Sequence, residues 1–131
     1  ETFEIGHTWA MEQLMKKYEF ADPVLFSIVL GREGEAPATP QALAAMIQMI
    51  PPGTVWGITQ ARRTDFSLLA GAVGMGARTV RIGFEDSRYL DSQTQALSNA
   101  PLVEKTVNML RAMDKEPMTP KEARNFFRIG R

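Results

Sequence analysis

Two periods of hydrophobic and polar positions alternate along the chain. Short apolar runs of strand length begin near residues 1, 24, 54 and 77. Each run is followed by a segment in which apolar residues recur at helical spacing, over residues 8–18, 40–50, 66–73 and 101–113. Four strand–helix repeats predict right-handed βαβ units and an all-parallel sheet, which is an α/β fold of (βα)4 type.

Capping and turn residues support these boundaries. Thr39 is placed to cap the second helix, with Pro40 at its first position, and the Pro-Pro-Gly of residues 51–53 ends that helix. Thr119 and Glu122 have the spacing of a capping box. They predict a last short helix that ends near residue 129.

Residues 80–86, Val-Arg-Ile-Gly-Phe-Glu-Asp, are predicted to form a buried strand that ends in a cluster of charge. Alternation would turn the three apolar residues towards helices and place Arg81 and Glu85 on the opposite face. At roughly 3.3 Å per residue these two would lie about 13 Å apart along the strand. The pattern fits a functional site, and it also fits an Arg–Glu ion pair that closes a strand end.

The polar residues fall unevenly, at or just past the carboxyl ends of the predicted strands: His7, Arg32, Glu33, Gln60, Arg62, Arg63, Glu85, Asp86 and Arg88. In parallel α/β folds, active sites are built at this edge. Adjacent carboxylates such as Glu85 and Asp86 can divide labour, one binding a metal and the other orienting a base or an arginine. Arg62 and Arg63 suit an anionic group, but solvated loop arginines fit the pattern equally well.

Composition narrows the functional classes. The 131 residues, 44% hydrophobic and 23% charged, fit one globular domain over residues 1–131. Fifteen basic residues balance fifteen acidic ones, so nothing indicates binding to nucleic acid or to an anionic membrane. The absence of cysteine excludes thiolate metal sites, and the single histidine excludes a histidine-rich one from this chain alone. No apolar run reaches the roughly 20 residues of a membrane span, so a cytoplasmic location is expected.

At residues 80–86, with the following Arg-Tyr-Leu of residues 88–90 and the Leu-Ser-Asn-Ala-Pro-Leu-Val-Glu of residues 97–104, the chain resembles a known family. It is similar to the closing region of the β-keto acid cleavage enzymes, the family of 3-keto-5-aminohexanoate cleavage enzyme. Supporting segments lie at residues 26–31, 56–60 and 119–124. The resemblance covers essentially the whole chain but only the second half of the family.

The resemblance implies a fold and partners. Family members are zinc-dependent (β/α)8 barrels, so this chain is expected to be the C-terminal half of a TIM barrel, with four βα units and a short last helix. We expect it to sit against the missing N-terminal half or a second copy of itself, and to be a homo-oligomer. The alternative is a self-contained, non-catalytic α/β ligand-binding module with a flavodoxin-like layout.

The resemblance also implies site residues and a reaction. Glu85 corresponds to the family's zinc-binding glutamate, while the family's His-x-His pair is missing here. Arg81 and Asp86 correspond to the arginine and aspartate that act together on the substrate, and Glu1 corresponds to a glutamate of the fifth strand. The implied reaction takes a β-keto acid and acetyl-CoA to acetoacetate and a new acyl-CoA, with zinc as a Lewis acid.

Two arginines complete the expected site. Arg62 and Arg63 follow the third predicted strand, and by geometry alone they are expected to face the same rim as the catalytic residues. There they would meet the phosphates of acetyl-CoA.

Overall fold

A computed structural model describes residues 1–130 of the chain, and in it a parallel sheet is covered by helices. Over these residues the strands are β1 (Leu25–Leu30), β2 (Val55–Gln60) and β3 (Thr79–Val80). The helices are α1 (Ile5–Met15), α2 (Pro40–Gln48), α3 (Ser67–Gly74), α4 (Asn99–Ala112) and α5 (Pro120–Phe126). The element order confirms an α/β fold with a parallel sheet, and its layout is compatible with part of a TIM barrel.

The sheet has the strand order β1-β2-β3. β1 and β2 pair along their full length, from Leu25 opposite Val55 to Leu30 opposite Gln60. β2 and β3 share two pairs, and the last places Ile58 opposite Val80. Each connection between neighbouring strands contains a helix, as parallel pairing requires.

The predicted first strand is reduced to one bridge. Thr2 pairs with Ile28 in the parallel sense, through a 2.8 Å bond from its own amide to the Ser27 carbonyl. The chain then turns into α1 three residues earlier than expected, and at this turn His7 Nδ1 accepts a hydrogen bond from the amide of Phe3. The lone histidine is therefore used in shaping the backbone.

The prediction of a strand through residue 86 is wrong beyond Val80. The register places Gln60, the last residue of β2, two positions past Ile58 and thus opposite residue 82. A strand continued to residue 86 would have no partner in β2 beyond residue 82, and its last backbone groups would lose their ladder. Instead the Gly83 carbonyl accepts hydrogen bonds from the amides of Asp86 (3.1 Å) and Ser87 (3.0 Å), which close a turn.

The core lies between the sheet and helices α2 and α3. It is formed by side chains from one face of β1 and β2 and from the facing helices: Phe26, Ile28, Leu30, Trp56, Ile58, Leu43, Met46, Leu69 and Ala72. Val80 and Ile82 pack against it, as their alternation predicted. Burial of these apolar surfaces provides most of the drive to fold.

Helix α1 covers the core less completely than its apolar pattern predicted. Met11 and Met15 pack against the core, and Thr8 is buried. Trp9 is 57% exposed and Leu14 is 43% exposed. The apolar residues of α1 therefore extend around the helix onto an open face.

Strands β2 and β3 approach closely at Gly57. A Cβ atom at this position would lie 1.8 Å from Thr79 Oγ1 and 2.8 Å from the Thr79 carbonyl oxygen. A glycine is therefore required where Gly57 pairs with Thr79.

The predicted caps are confirmed. Thr39 Oγ1 accepts from the amide of Ala42 at the start of α2. At α5, Thr119 and Glu122 form both bonds of the capping box. None of the helices within residues 1–130 is long and apolar enough to cross a membrane.

Candidate active site

Arg81 is the centre of a cluster of charge at the carboxyl end of β3. Its amide still donates to the Ile58 carbonyl at 2.9 Å, so the residue is fixed to the sheet. The turn at Gly83 brings the chain back, and the guanidinium donates to both carboxylate oxygens of Asp86, at 3.0 Å from Nε and 2.6 Å from Nη2. The Asp86 side chain is only 4% exposed. A bidentate pair of this kind is strong and geometrically specific.

Two further carboxylates reach the same guanidinium. Glu1 Oε1 lies 2.7 Å from Nη1 of Arg81, and Glu85 Oε1 lies 3.4 Å from Nη2. The hydrogen bond to Asp86 is the largest cause that raises the pKa of Arg81, and the charges of the three carboxylates add to it against burial. Arg81 is therefore a cation, since a guanidinium is not deprotonated in proteins.

The structure thus brings together Glu1, Arg81, Glu85 and Asp86, which the sequence predicted as site residues. The predicted separation of about 13 Å between Arg81 and Glu85 assumed an extended strand. Their side chains instead form an ion pair across the turn.

Arg32 is a member of the cluster to which the sequence assigned no role. Its Nη2 lies 3.6 Å from Glu85 Oε1, and its guanidinium lies 5.4 Å from the centroid of the Phe3 ring. The sequence had placed Arg32 at this edge through its position two residues past β1, where parallel strands end, but had not linked it to Glu85.

Arg62 lies on the rim of this cluster, as predicted. It adopts a left-handed backbone conformation, with φ of 55°, and its amide donates to the Asp86 carbonyl at 2.8 Å. The side chain is 69% exposed and pairs with Glu33 at 3.2 Å.

Arg63 does not face the rim, in contrast to the sequence-based expectation. It is 1% exposed, and its guanidinium lies 4.1 Å from the centroid of the Phe66 ring. The left-handed turn at Arg62 sends the next side chain inwards. Burial lowers the pKa of Arg63, while the nearby Asp86 and Asp65 charges oppose that shift.

The residues described here do not make a complete metal centre. Within residues 1–130 no three His, Cys, Asp or Glu side chains are arranged to hold an ion. His7 Nδ1 already accepts a hydrogen bond, and the Asp86 oxygens are taken by Arg81. Glu85 has a side chain that is 71% exposed; its Oε1 pairs with Arg81 and Arg32, which leaves Oε2 to offer as a metal ligand. A catalytic zinc usually has three protein ligands, so this chain supplies at most part of such a site.

The cluster can stabilise negative charge. A permanent cation is fixed by a buried carboxylate at the open edge of a parallel sheet. Such a preorganised cation favours a reaction in which charge develops on a substrate oxygen.

Comparison with known proteins identifies relatives with the same region. The chain is 34% identical over 119 residues to the 3-keto-5-aminohexanoate cleavage enzyme of Acetoanaerobium sticklandii, which covers 91% of this chain and 43% of that protein. It is 34% identical over 129 residues to the enzyme of the same name from Fusobacterium nucleatum, with 98% and 46% coverage.

A third relative has a different named substrate. The chain is 31% identical over 129 residues to the 3-dehydrocarnitine:acetyl-CoA trimethylamine transferase of Rhizobium meliloti, with 98% and 42% coverage. The chain spans less than half the length of these relatives. Residues 1–129 match the model of the beta-keto acid cleavage enzyme family, and we conclude that the chain belongs to that family.

Proposed function

We propose that this chain forms one side of an active site that converts a β-keto acid and acetyl-CoA to acetoacetate and a new acyl-CoA. Family membership supports the reaction class. The names of two relatives, the Rhizobium meliloti protein and the 3,5-dioxohexanoate:acetyl-CoA acetone transferase of Paraburkholderia graminis, support acetyl-CoA as co-substrate. The single observation that carries the proposal is the bidentate Arg81–Asp86 pair at the sheet edge.

Arg81 and Asp86 have distinct roles in this proposal. In the overall reaction the C2–C3 bond of the β-keto acid breaks, its C2 carbon bonds to the acetyl carbonyl carbon, and CoA passes to the released acyl group, while negative charge develops on an enolate oxygen. Arg81 stabilises that charge, since a guanidinium is not deprotonated in proteins. Asp86 orients the guanidinium; the alternative role for Asp86 is proton transfer to or from the substrate. Glu1, which pairs with Nη1 of Arg81, completes the proposed catalytic set.

In this proposal Glu85 is the one residue of the chain assigned to zinc. This exposed carboxylate next to Arg81 would give one oxygen ligand. The remaining ligands would come from outside the residues described here, because among those residues no three His, Cys, Asp or Glu side chains are grouped to hold an ion.

Arg62 is our candidate for contact with acetyl-CoA. Its amide is bonded to the Asp86 carbonyl, and its exposed guanidinium, which pairs with Glu33, is accessible to a phosphate. Arg63 is buried, which argues against the same role for it. A contact between Arg63 and acetyl-CoA stays a prediction.

The proposed architecture is the C-terminal half of a (β/α)8 barrel, built from four βα units. The parallel bridge at Thr2 supports a fourth strand position beside β1. In this arrangement the partner is the N-terminal half of the barrel or a second copy of the chain, within a cytoplasmic homo-oligomer.

Replacing Asp86 tests the function. In the intact protein, Asp86→Asn removes the charge that orients Arg81, so turnover should fall by about 100-fold, as expected for a misplaced catalytic group. The measurement is acetoacetate formation from acetyl-CoA and a panel of β-keto acids.

Asp91→Asn is the matched control. Asp91 Oδ1 accepts from the amides of Gln93 and Thr94, a role that an asparagine oxygen can keep, and it lies outside the Arg81 cluster. Its turnover should equal that of the parent protein. Full turnover by Asp86→Asn would reject the proposed mechanism.

A further inference from the structure

Phe66 is flanked by two cations. The Arg63 guanidinium lies 4.1 Å from its ring centroid, and Lys105 Nζ, from α4, lies 5.1 Å from it. Both distances are within the range of cation–π attraction. The ring thus holds together a buried arginine from the end of β2 and a lysine from a distant helix.

Each cation also grips the backbone of one segment. Arg63 Nη1 donates to the Tyr89 carbonyl, and Lys105 Nζ donates to the carbonyl of the next residue, Leu90. These two residues follow closely on Asp86 and Ser87, whose amides close the turn at Gly83.

A second set of bonds ties the turn itself to Arg62 and Arg63. Ser87 Oγ donates to the Arg63 carbonyl at 2.5 Å and accepts from the Tyr89 amide at 3.2 Å. The Arg62 amide donates to the Asp86 carbonyl at 2.8 Å. The Asp86 carbonyl and the Ser87 side chain are therefore both bonded to the residues that follow β2.

Burying the charged side chain of Arg63 carries a cost in free energy. Arg63 is 1% exposed, and within residues 1–130 its buried Nε and Nη2 atoms have no hydrogen-bond partner. Unpaired buried polar groups are unfavourable, and an apolar side chain would fill the same volume without that cost. The gain that sets arginine apart here is its combined hold on the Phe66 ring and the Tyr89 carbonyl.

We propose that Arg63 and Lys105, stacked on Phe66, are positioning residues that clamp residues 87–90 and thereby hold the Asp86 carboxylate against Arg81. This inference rests on the proposed function of Arg81 and Asp86. Neither cation touches the substrate; both act through the backbone that carries Asp86.

The first test separates turnover from binding in the intact protein. Arg63→Met keeps the volume but loses the donor, so kcat should fall by about 10- to 100-fold, as for other residues that orient a functional group. KM for the β-keto acid should change much less, since the group acts on positioning and not on uniform binding. Lys105→Met, which removes the more exposed half of the clamp, should lower kcat by a smaller factor.

Arg63→Lys is the conservative variant. It keeps the charge over Phe66 but loses the guanidinium fork. Its kcat should lie between those of the parent protein and Arg63→Met. If Arg63→Met does not fold, Arg63→Lys and Lys105→Met decide the question on their own.

The second test asks whether the clamp works through Asp86. When Arg63→Met or Lys105→Met is combined with Asp86→Asn, kcat should be no lower than for Asp86→Asn alone. Losses that multiply would overturn the proposal, and so would parental kcat in both Arg63→Lys and Lys105→Met.

A control variant accounts for simple destabilisation. Leu43→Ala, in α2, leaves a cavity in the core cluster to which Phe66 also belongs, but it removes neither cation of the clamp. Assayed at a temperature at which every variant is folded, it should keep the parental kcat. A loss in Leu43→Ala equal to that in Lys105→Met would overturn the positioning role. If Asp86→Asn is impaired while the clamp variants are not, the clamp fails and the proposed function stands; full activity of Asp86→Asn defeats both.

Discussion

Arg81 joins parts of the chain that are far apart in sequence. Its guanidinium contacts Glu1, eighty residues away, as well as Glu85 and Asp86 across a tight turn. The three contacts differ in burial, since the Asp86 side chain is 4% exposed while those of Glu1 and Glu85 are 41% and 71% exposed. The pair with Asp86 is therefore the least screened by solvent.

The Arg81–Asp86 pair should behave as one unit in catalysis. Lysine cannot reproduce the bidentate contact, so Arg81→Lys and Asp86→Asn should each lower turnover strongly. The double variant should lose little more than the worse single variant, because residues that act together are non-additive. Turnover of the two single variants and the double variant measures the coupling, and multiplicative losses would show that the residues act independently.

At the residue scale, the sequence grouped Arg81, Glu85 and Asp86 because all three lie in one predicted strand, residues 80–86, at the edge where parallel strands end. In the structure that strand ends at Val80, and a turn brings the three side chains together. The burial of Arg63 was not predictable, because it depends on the left-handed backbone of Arg62. A non-glycine residue with positive φ is uncommon, and no local sequence signal marks this one.

At the scale of elements, local signals were reliable and alternation alone was not. The capping box of α5 depends on residues three positions apart, and both of its bonds are present. β3 ends after Val80 although apolar residues continue to alternate, and a strand drawn out to residue 86 would have run past Gln60, the end of β2, which lies level with residue 82. Strand length is limited by the neighbouring strand, which a periodic pattern does not contain.

Gly57 tests the close approach of β2 and β3. Gly57→Ala should lower the free energy of unfolding by about 1–3 kcal/mol, the usual cost of overpacking, because the Thr79 carbonyl oxygen would lie 2.8 Å from the new Cβ. Urea unfolding of the intact protein measures the change.

The control for this substitution is in α3. Gly71 has no atom within 4 Å of an added Cβ, so Gly71→Ala should be stabilising by up to about 1 kcal/mol through helix propensity. Equal stability of Gly57→Ala and the parent protein would show that the strands can separate without cost.

At the scale of the whole molecule, apolar surface is exposed at both edges of the sheet, next to β1 and next to β3. On the β1 side, Trp9 and Leu14 of α1 are exposed, and Leu25 of β1 is 40% exposed. On the β3 side, a groove of about 800 Å³ runs between β3 and α4, where Val103 is 48% exposed. Large exposed apolar patches are typical of surfaces that another polypeptide covers.

We therefore predict that the isolated 131-residue chain does not persist as a monomer. The open strand edges and apolar side chains should drive it to self-associate or to bind the rest of a barrel. Light scattering on the purified chain measures its mass in solution. A cooperatively folded monomer would contradict the half-barrel proposal and favour a self-contained module.

The sequence indicated the fold class and family, but it could not indicate what covers these surfaces. Apolar periodicity predicts that a helix has a buried face, but it does not distinguish Trp9 from Met11, since both are apolar residues of the same helical pattern. Only Met11 contacts the core described here. The partner of the other face depends on surfaces that this pattern does not encode.

The three carboxylates around Arg81 change what binding an acidic substrate means. The guanidinium is already neutralised, so a carboxylate that reaches it must replace one of its present partners. Glu85 and Glu1, more exposed and each held by a single contact to Arg81, are easier to displace than the bidentate Asp86. Substrate entry at this point is then an exchange of one anion for another, with little net gain in attraction. Selectivity would then depend on how well the substrate carboxylate fits the space left by the displaced glutamate. Small organic acids would compete with the substrate for the same position.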